Sequence, residues 1–199
     1  NSNTGTNYQL YKGTFAVGAA VPGSTGAAIS FGMQTALGMY TVVATNTATG
    51  CTANMTGSVT VGTYTLPAVF VVTGGGNYCT GGTGVHIWLA ASATGVTYQL
   101  FNAAVPTGAI IPGTGAALDF GLQTGGGAYT VVATNTSTTC NNTMTGTATI
   151  SLDPLPNVYG LTGGGNYCFG TPGVHIGVSN SDAGINYQLN LGGSPVGAP

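Results

Sequence analysis

Tyr129-Thr130-Val131-Val132-Ala133-Thr134-Asn135-Thr136 repeats, residue for residue, the earlier stretch Tyr40-Thr41-Val42-Val43-Ala44-Thr45-Asn46-Thr47. Eight identities in order are too many for chance, so internal repetition has to be settled before any single element is assigned. Working outward, Cys51 answers Cys140, Met55 answers Met144, and Leu66-Pro67 answers Leu155-Pro156. Upstream, Tyr8-Gln9-Leu10 returns as Tyr98-Gln99-Leu100 and again as Tyr187-Gln188-Leu189. Tyr40 to Tyr129 spans 89 residues and Tyr8 to Tyr98 spans 90, the extra residue falling between Pro22 and Ala28. In this frame residues 68–156 make one full repeat. Residues 1–67 are the later part of a repeat, and residues 157–199 the opening part of another. A window on a longer tandem array and a subunit completed by its neighbours both fit. Residues 181–199 duplicate what 2–22 already supply, which favours the longer array.

Each repeat reads as strands. Val85-His86-Ile87-Trp88-Leu89 alternates apolar with outward residues, as does Val174-His175-Ile176-Gly177-Val178. Val96–Leu100, Ala117–Phe120, Ala128–Thr134 and Thr143–Ile150 follow the same period, and Ala68–Val72 opens the repeat. Thr, Val and Tyr favour strands, while the helix formers Glu, Lys and Arg are almost missing. Glycine, proline and asparagine clusters divide the pieces. About seven short strands in some 90 residues predict an all-β chain of tandem immunoglobulin-like β-sandwich repeats. Tyr40 and Tyr129 sit where such domains carry a tyrosine whose hydroxyl bonds nearby backbone. Asp153-Pro154-Leu155-Pro156 reads as a stiff linker.

A second mark, Thr73-Gly74-Gly75-Gly76-Asn77-Tyr78-Cys79, recurs at Thr162–Cys168 and invites a phosphate-loop reading. A dinucleotide loop places glycines at its first, third and sixth positions and then enters a helix. Here cysteine holds the sixth position and strands follow, so the glycines are expected to form a turn between the first two strands.

Composition narrows the function. Of 199 residues only Lys12 is cationic and only Asp119, Asp153 and Asp182 are acidic, leaving 2% charged against 43% hydrophobic. Nucleic-acid binding needs a basic footprint, and anionic membranes need a cationic one, so neither partner is expected. The longest apolar run, Leu66 to Val72, is too short to span a bilayer and contains Pro67, so no membrane insertion is expected. No leader is evident, and the sequence reads as a mature or internal piece. With a formal net charge of −2 there is little repulsion between copies, which points to self-association.

Four cysteines without a CxxC pair argue against zinc or thioredoxin-type chemistry. A Cys79–Cys140 disulfide is expected; it would close a loop of about 60 residues and stabilise by about 4 kcal/mol. Cys51 and Cys168 would then pair beyond these residues, or with each other between adjacent chains. Disulfides would place the protein outside the cytoplasm. His86 and His175 hold equivalent outward positions one repeat apart, are expected to have no accompanying carboxylate, and read as surface residues rather than metal ligands. Trp88 also points outward, where the next repeat has Gly177. Trp88, Tyr98 and His86 form the expected interaction surface for a neighbour or a glycan. Asn54, Asn135 and Asn141 each begin an N-glycosylation pattern. No catalytic constellation, metal set or cofactor site is expected: the histidines and the three aspartates are read as lying in separate repeats or linkers, Asp153 in the linker, and no carboxylates cluster.

The motifs "VVTGGGNYCTGGTGVHI", "GVTYQLF", "GAYTVVATNTSTTC" and the closing "DPLP" resemble the tandem immunoglobulin-like repeats of very large secreted surface proteins of Bacteroidota. Gliding-motility adhesin-like and type IX-secreted proteins are among them. The resemblance runs in register along the whole chain and implies export to the cell surface with adhesive, filamentous or scaffold duty. The expectation is therefore a structural repeat of an extracellular filament or adhesin and not an enzyme. A glycan-binding module using exposed aromatics is the alternative.

Overall fold

Residues 1–199 are described by a computed structural model, which is all β with no helix. It divides into two compact units, Asn1–Leu66 and Pro67–Pro199.

The first unit is a single five-stranded sheet of β1 (Thr6–Lys12), β2 (Phe15–Pro22), β3 (Gly38–Asn46), β4 (Thr52–Asn54) and β5 (Val59–Val61). Its order is β2-β1-β3, with β4 and β5 sharing the far edge of β3. Every pairing is antiparallel.

The second unit holds β6 (Val72–Gly74), β7 (Gly76–Cys79), β8 (Val85–Leu89), β9 (Val96–Asn102), β10 (Val105–Pro112), β11 (Leu118–Gln123), β12 (Gly127–Asn135), β13 (Asn141–Thr143) and β14 (Ala148–Asp153). Two sheets result, β11-β8-β6 and β10-β9-β12-β14-β7, with β13 beside β12. Only β14 and β7 run parallel. Val72, Ile87, Leu89 and Leu118 of the small sheet meet Tyr98, Leu100, Val131 and Ile150 of the large one in a single buried core. Period-2 alternation puts these residues on one face of each strand, and burying that face is the main driving force. The remaining residues form two short antiparallel pairs, β15 (Leu161–Gly163) with β16 (Ile176–Val178), and β17 (Leu189–Leu191) with β18 (Ser194–Val196).

The repeated motifs are hydrogen-bonding devices. In Tyr-Gln-Leu the tyrosine hydroxyl accepts a backbone N–H five residues upstream: Asn3 for Tyr8 (3.1 Å), Ala93 for Tyr98 (2.9 Å), Asp182 for Tyr187 (2.9 Å). The glutamine amide reaches across to carbonyls of the following strand: Val17 for Gln9, Thr107 for Gln99, Val196 for Gln188. It bonds where the β1–β2 and β9–β10 registers slip, which satisfies groups the bulge frees. The leucine enters the core in the first two copies. In the Tyr-Thr-Val-Val-Ala-Thr-Asn-Thr stretch, Tyr40 and Tyr129 donate their hydroxyls to the carbonyls of Ala36 and Gly125, both at 2.7 Å. Asn46 and Asn135 each accept two backbone N–H groups and form the turn that ends the strand.

Several local expectations change. Gly74–Gly76 do not make a turn between two strands of one sheet; they carry the chain from the small sheet (β6) to the large one (β7). Gly74 and Gly75 have φ of 93° and 78°, and a Cβ on them would meet the carbonyl oxygens of His86 and Thr149. The expected strand Thr143–Ile150 is broken between β13 and β14, where Met144 turns into the core. Asp153 is not linker: it ends β14 opposite Cys79, and its carbonyl accepts the Thr80 N–H at 2.9 Å.

Ile29–Gln34, the counterpart of β11, forms no strand. Within the middle repeat β11 pairs only with β8, and residues 1–66 contain no counterpart of β8.

Candidate functional site

The most distinctive side-chain cluster lies on the outer face of β11-β8-β6. Alternation along β8 turns Ile87 and Leu89 inward and leaves His86 and Trp88 exposed. Their rings stack with centroids 5.5 Å apart and planes 25° from parallel. On the neighbouring β11, Asp119 stands opposite Trp88 and Leu122 opposite His86, with a bulge between. The Asp119 carboxylate faces the His86 imidazole, whose Nδ1 lies 2.8 Å from Oδ2 and 3.0 Å from Oδ1. Asp119 Oδ1 also accepts the Gly121 N–H at 2.8 Å, which fixes the carboxylate over the bulge. A carboxylate therefore accompanies His86 after all. It comes from the same repeat, not a separate one, but from a residue 33 positions along the chain, out of reach of local spacing.

This cluster is a stacked, exposed aromatic pair with one polar edge. An exposed aromatic pair offers a stacking face, and the carboxylate accepts hydrogen bonds from hydroxyl groups, the chemistry of sugar recognition at a surface. It does not recur: Gly177 replaces Trp88 in the next repeat, and Ser30 stands at the Asp119 position in the previous one. No group of three or more His, Cys, Asp or Glu converges.

Tyr98 does not belong to this surface. It is fully buried, its hydroxyl tied to Ala93 N–H, because it shares the inward face of β9 with Val96 and Leu100. The same period that marks the strand contains that information.

The cysteines are free, with Cys51, Cys79 and Cys168 exposed and Cys140 half-buried. Cys79–Cys140 is corrected on geometry. Cys79 pairs with Asp153, three residues past Ile150, which faces Gly127 at the start of β12. The carbonyl of Cys140 accepts the Asn135 N–H at the other end of β12. At about 3.3 Å per residue the two stand roughly 35 Å apart along the sheet, whereas a disulfide needs Cα atoms within about 7 Å. Among the glycosylation patterns, Asn54 and Asn141 are exposed, while the Asn135 side chain holds its turn.

In residues 157–199 a carboxylate and a phenol share a short hydrogen bond. Asp182 is held below the usual carboxylate range by the Tyr159 hydroxyl, which donates to Oδ1 at 2.6 Å, and then by Asn157. Tyr159 is raised, first by that same bond.

Clefts open on the strand faces, two of them largely apolar and one of mixed polarity. One of about 490 Å³ lies among Leu161, Ile176, Val178, Tyr187 and Leu189. Another of about 250 Å³ lies among Leu10, Tyr40, Val42, Met55 and Val59, and the mixed one, of about 370 Å³, among Asn3, Thr6, Tyr8, Asn46, Cys51 and Met55. No protein-family model and no curated protein matches this chain.

Proposed function

We propose that the chain is a structural stretch of an extracellular surface filament or adhesin, built of immunoglobulin-like β-sandwich repeats similar to those of large secreted Bacteroidota proteins. The strand order of residues 68–156 supports the fold reading. A first strand divided between two sheets, a parallel pairing of its second part with the last strand, and a tyrosine bonded four residues back are features of that class.

One observation carries the functional reading: what repeats along the chain is scaffold. The tyrosine, glutamine and asparagine bonds to backbone recur from copy to copy, while the His86–Trp88–Asp119 cluster occurs once. A chain that preserves its frame and varies its surface is organised for mechanical continuity, not for a reaction. The nearly uncharged surface adds a tendency to pack against copies of itself. Electron microscopy of the purified chain is expected to show ordered fibres, and monodisperse monomers at high concentration would defeat the proposal.

The exposed, stacked His86–Trp88 pair with its carboxylate favours a second reading, an adhesion module that contacts glycans. Its test is a glycan array, on which Trp88→Ala abolishes binding if the reading holds and leaves it unchanged if not.

A further inference from the structure

We propose that the His86–Trp88–Asp119 patch takes a saccharide that carries no anionic group, stacked on the free face of Trp88 and donating hydroxyl hydrogens to Asp119 and His86. This inference rests on the glycan reading and names the class of sugar and the residues that select it.

The stacking face follows from the order of residues on β8. His86 and Trp88 are successive outward residues, so their stacked rings stand one behind the other along the strand. His86 covers one face of the indole, and the opposite face is turned towards Ala90, the next outward residue. Ala90 and Ala117 flank the Leu89–Leu118 pair, and both are small and exposed. On the β6 side stands the exposed Val71, whose carbonyl accepts the Ala90 N–H at 2.9 Å. The free face of Trp88, a residue 42% exposed, thus opens onto a low apolar shelf. A pyranose presents just such a complement, since the C–H groups on one side of its ring meet the negative face of an aromatic.

The polar edge consists mainly of acceptors. A carboxylate only accepts, so His86 Nδ1 carries the hydrogen of the 2.8 Å contact with Asp119, and Nε2 of the neutral ring keeps its lone pair. Asp119 has roughly four lone-pair positions. The Gly121 N–H and the His86 ring occupy part of them, and the carboxylate side chain is still 31% exposed. Thr73, opposite Trp88 on β6, adds one hydroxyl that can donate or accept. Hydroxyl groups on the rim of a sugar supply the donors that this edge lacks.

Charge sets the remaining limit. Pro67–Pro199 contains no lysine or arginine, and the one cation of the chain, Lys12, belongs to the other unit. A uronate, sialate or sulfate would meet the Asp119 carboxylate with no cation to answer it, and like charges set together oppose binding. Gly177 and Ser30 stand at the Trp88 and Asp119 positions of the neighbouring copies, so the chain holds one such site.

The test is an array carrying uncharged glycans beside glycans with uronate, sialate or sulfate groups, probed with the full chain. Retention that Trp88→Ala removes is expected on the uncharged glycans, at least about tenfold stronger than on their anionic counterparts. Asp119→Asn keeps the shape but puts a donor where an acceptor stood, and is expected to weaken that retention about tenfold or more. Trp88 is the only tryptophan, so its fluorescence gives a second readout. Titrating the chain with the best-retained uncharged glycan should move the emission to shorter wavelength as the sugar excludes water. Trp88-dependent retention of anionic glycans overturns the sugar class and leaves the glycan reading standing. Retention untouched by Asp119→Asn overturns the acceptor edge. Emission that moves with protein concentration alone puts a second copy of the chain on Trp88 and overturns sugar as the occupant. Absence of any Trp88-dependent retention sinks this inference and the glycan reading together.

Discussion

Gly75 has φ of 78° and lies against the Thr149 backbone, at the step where the chain passes from one sheet to the other. Gly75→Ala places a Cβ into that carbonyl and forces a left-handed conformation on alanine, which by itself costs about 1–3 kcal/mol. Urea unfolding followed by tyrosine fluorescence should show a midpoint lowered accordingly, whereas Gly81→Ala, with open space around it, should lose only the cost of its positive φ. An equal loss in both would mean that the close approach to Thr149 contributes nothing. The three glycines were legible as a structural mark from spacing alone, but the crossover between sheets was not. That depends on which strand each side of the step pairs with, and β14 lies some 70 residues away. Tyr98 teaches the converse: its inward direction was available from alternation with Val96 and Leu100, and only its aromatic character suggested a surface role.

At the scale of elements, period-2 alternation located β8, β9, β11 and β12 closely. β10 escaped notice because Val105–Pro112 contains two prolines and a glycine and leaves nearly all its side chains exposed. As an edge strand it tolerates both, since an edge leaves N–H groups unpaired. The opening of residues 157–199 is pinned differently from its counterparts, through Tyr159, Asn157 and Asp182. Asp182 titrates below its unfolded value, so its contribution is present above about pH 4 and is lost as pH falls through the depressed value. Tyr159 titrates above its own, so its contribution holds below about pH 10 and is lost as pH rises through the raised value. The Asn157 amide resonance should therefore move at both ends of that window. Asp182→Asn should abolish the acid-side movement, and persistence of that movement would show that another group governs the segment.

For the whole molecule, the scarcity of charge sets how copies attract. With one cation and three carboxylates, association has little for salt to screen. Light scattering between about 0.05 and 0.5 M sodium chloride should report particle sizes constant within about twofold, and sulfate should enlarge them by strengthening apolar burial. Dissociation by moderate salt would instead mark ionic contacts as the source of assembly. The sequence by itself determined the all-β class, the 89–90-residue period and the inward faces of the main strands, because those depend on local alternation and on order along the chain. Only the tertiary structure decided the rest. It set Cys79 and Cys140 at opposite ends of one sheet and brought Asp119 to His86. Those outcomes turn on which strands stand side by side, and neighbours in a sheet are fixed by packing across the core rather than by distance along the chain.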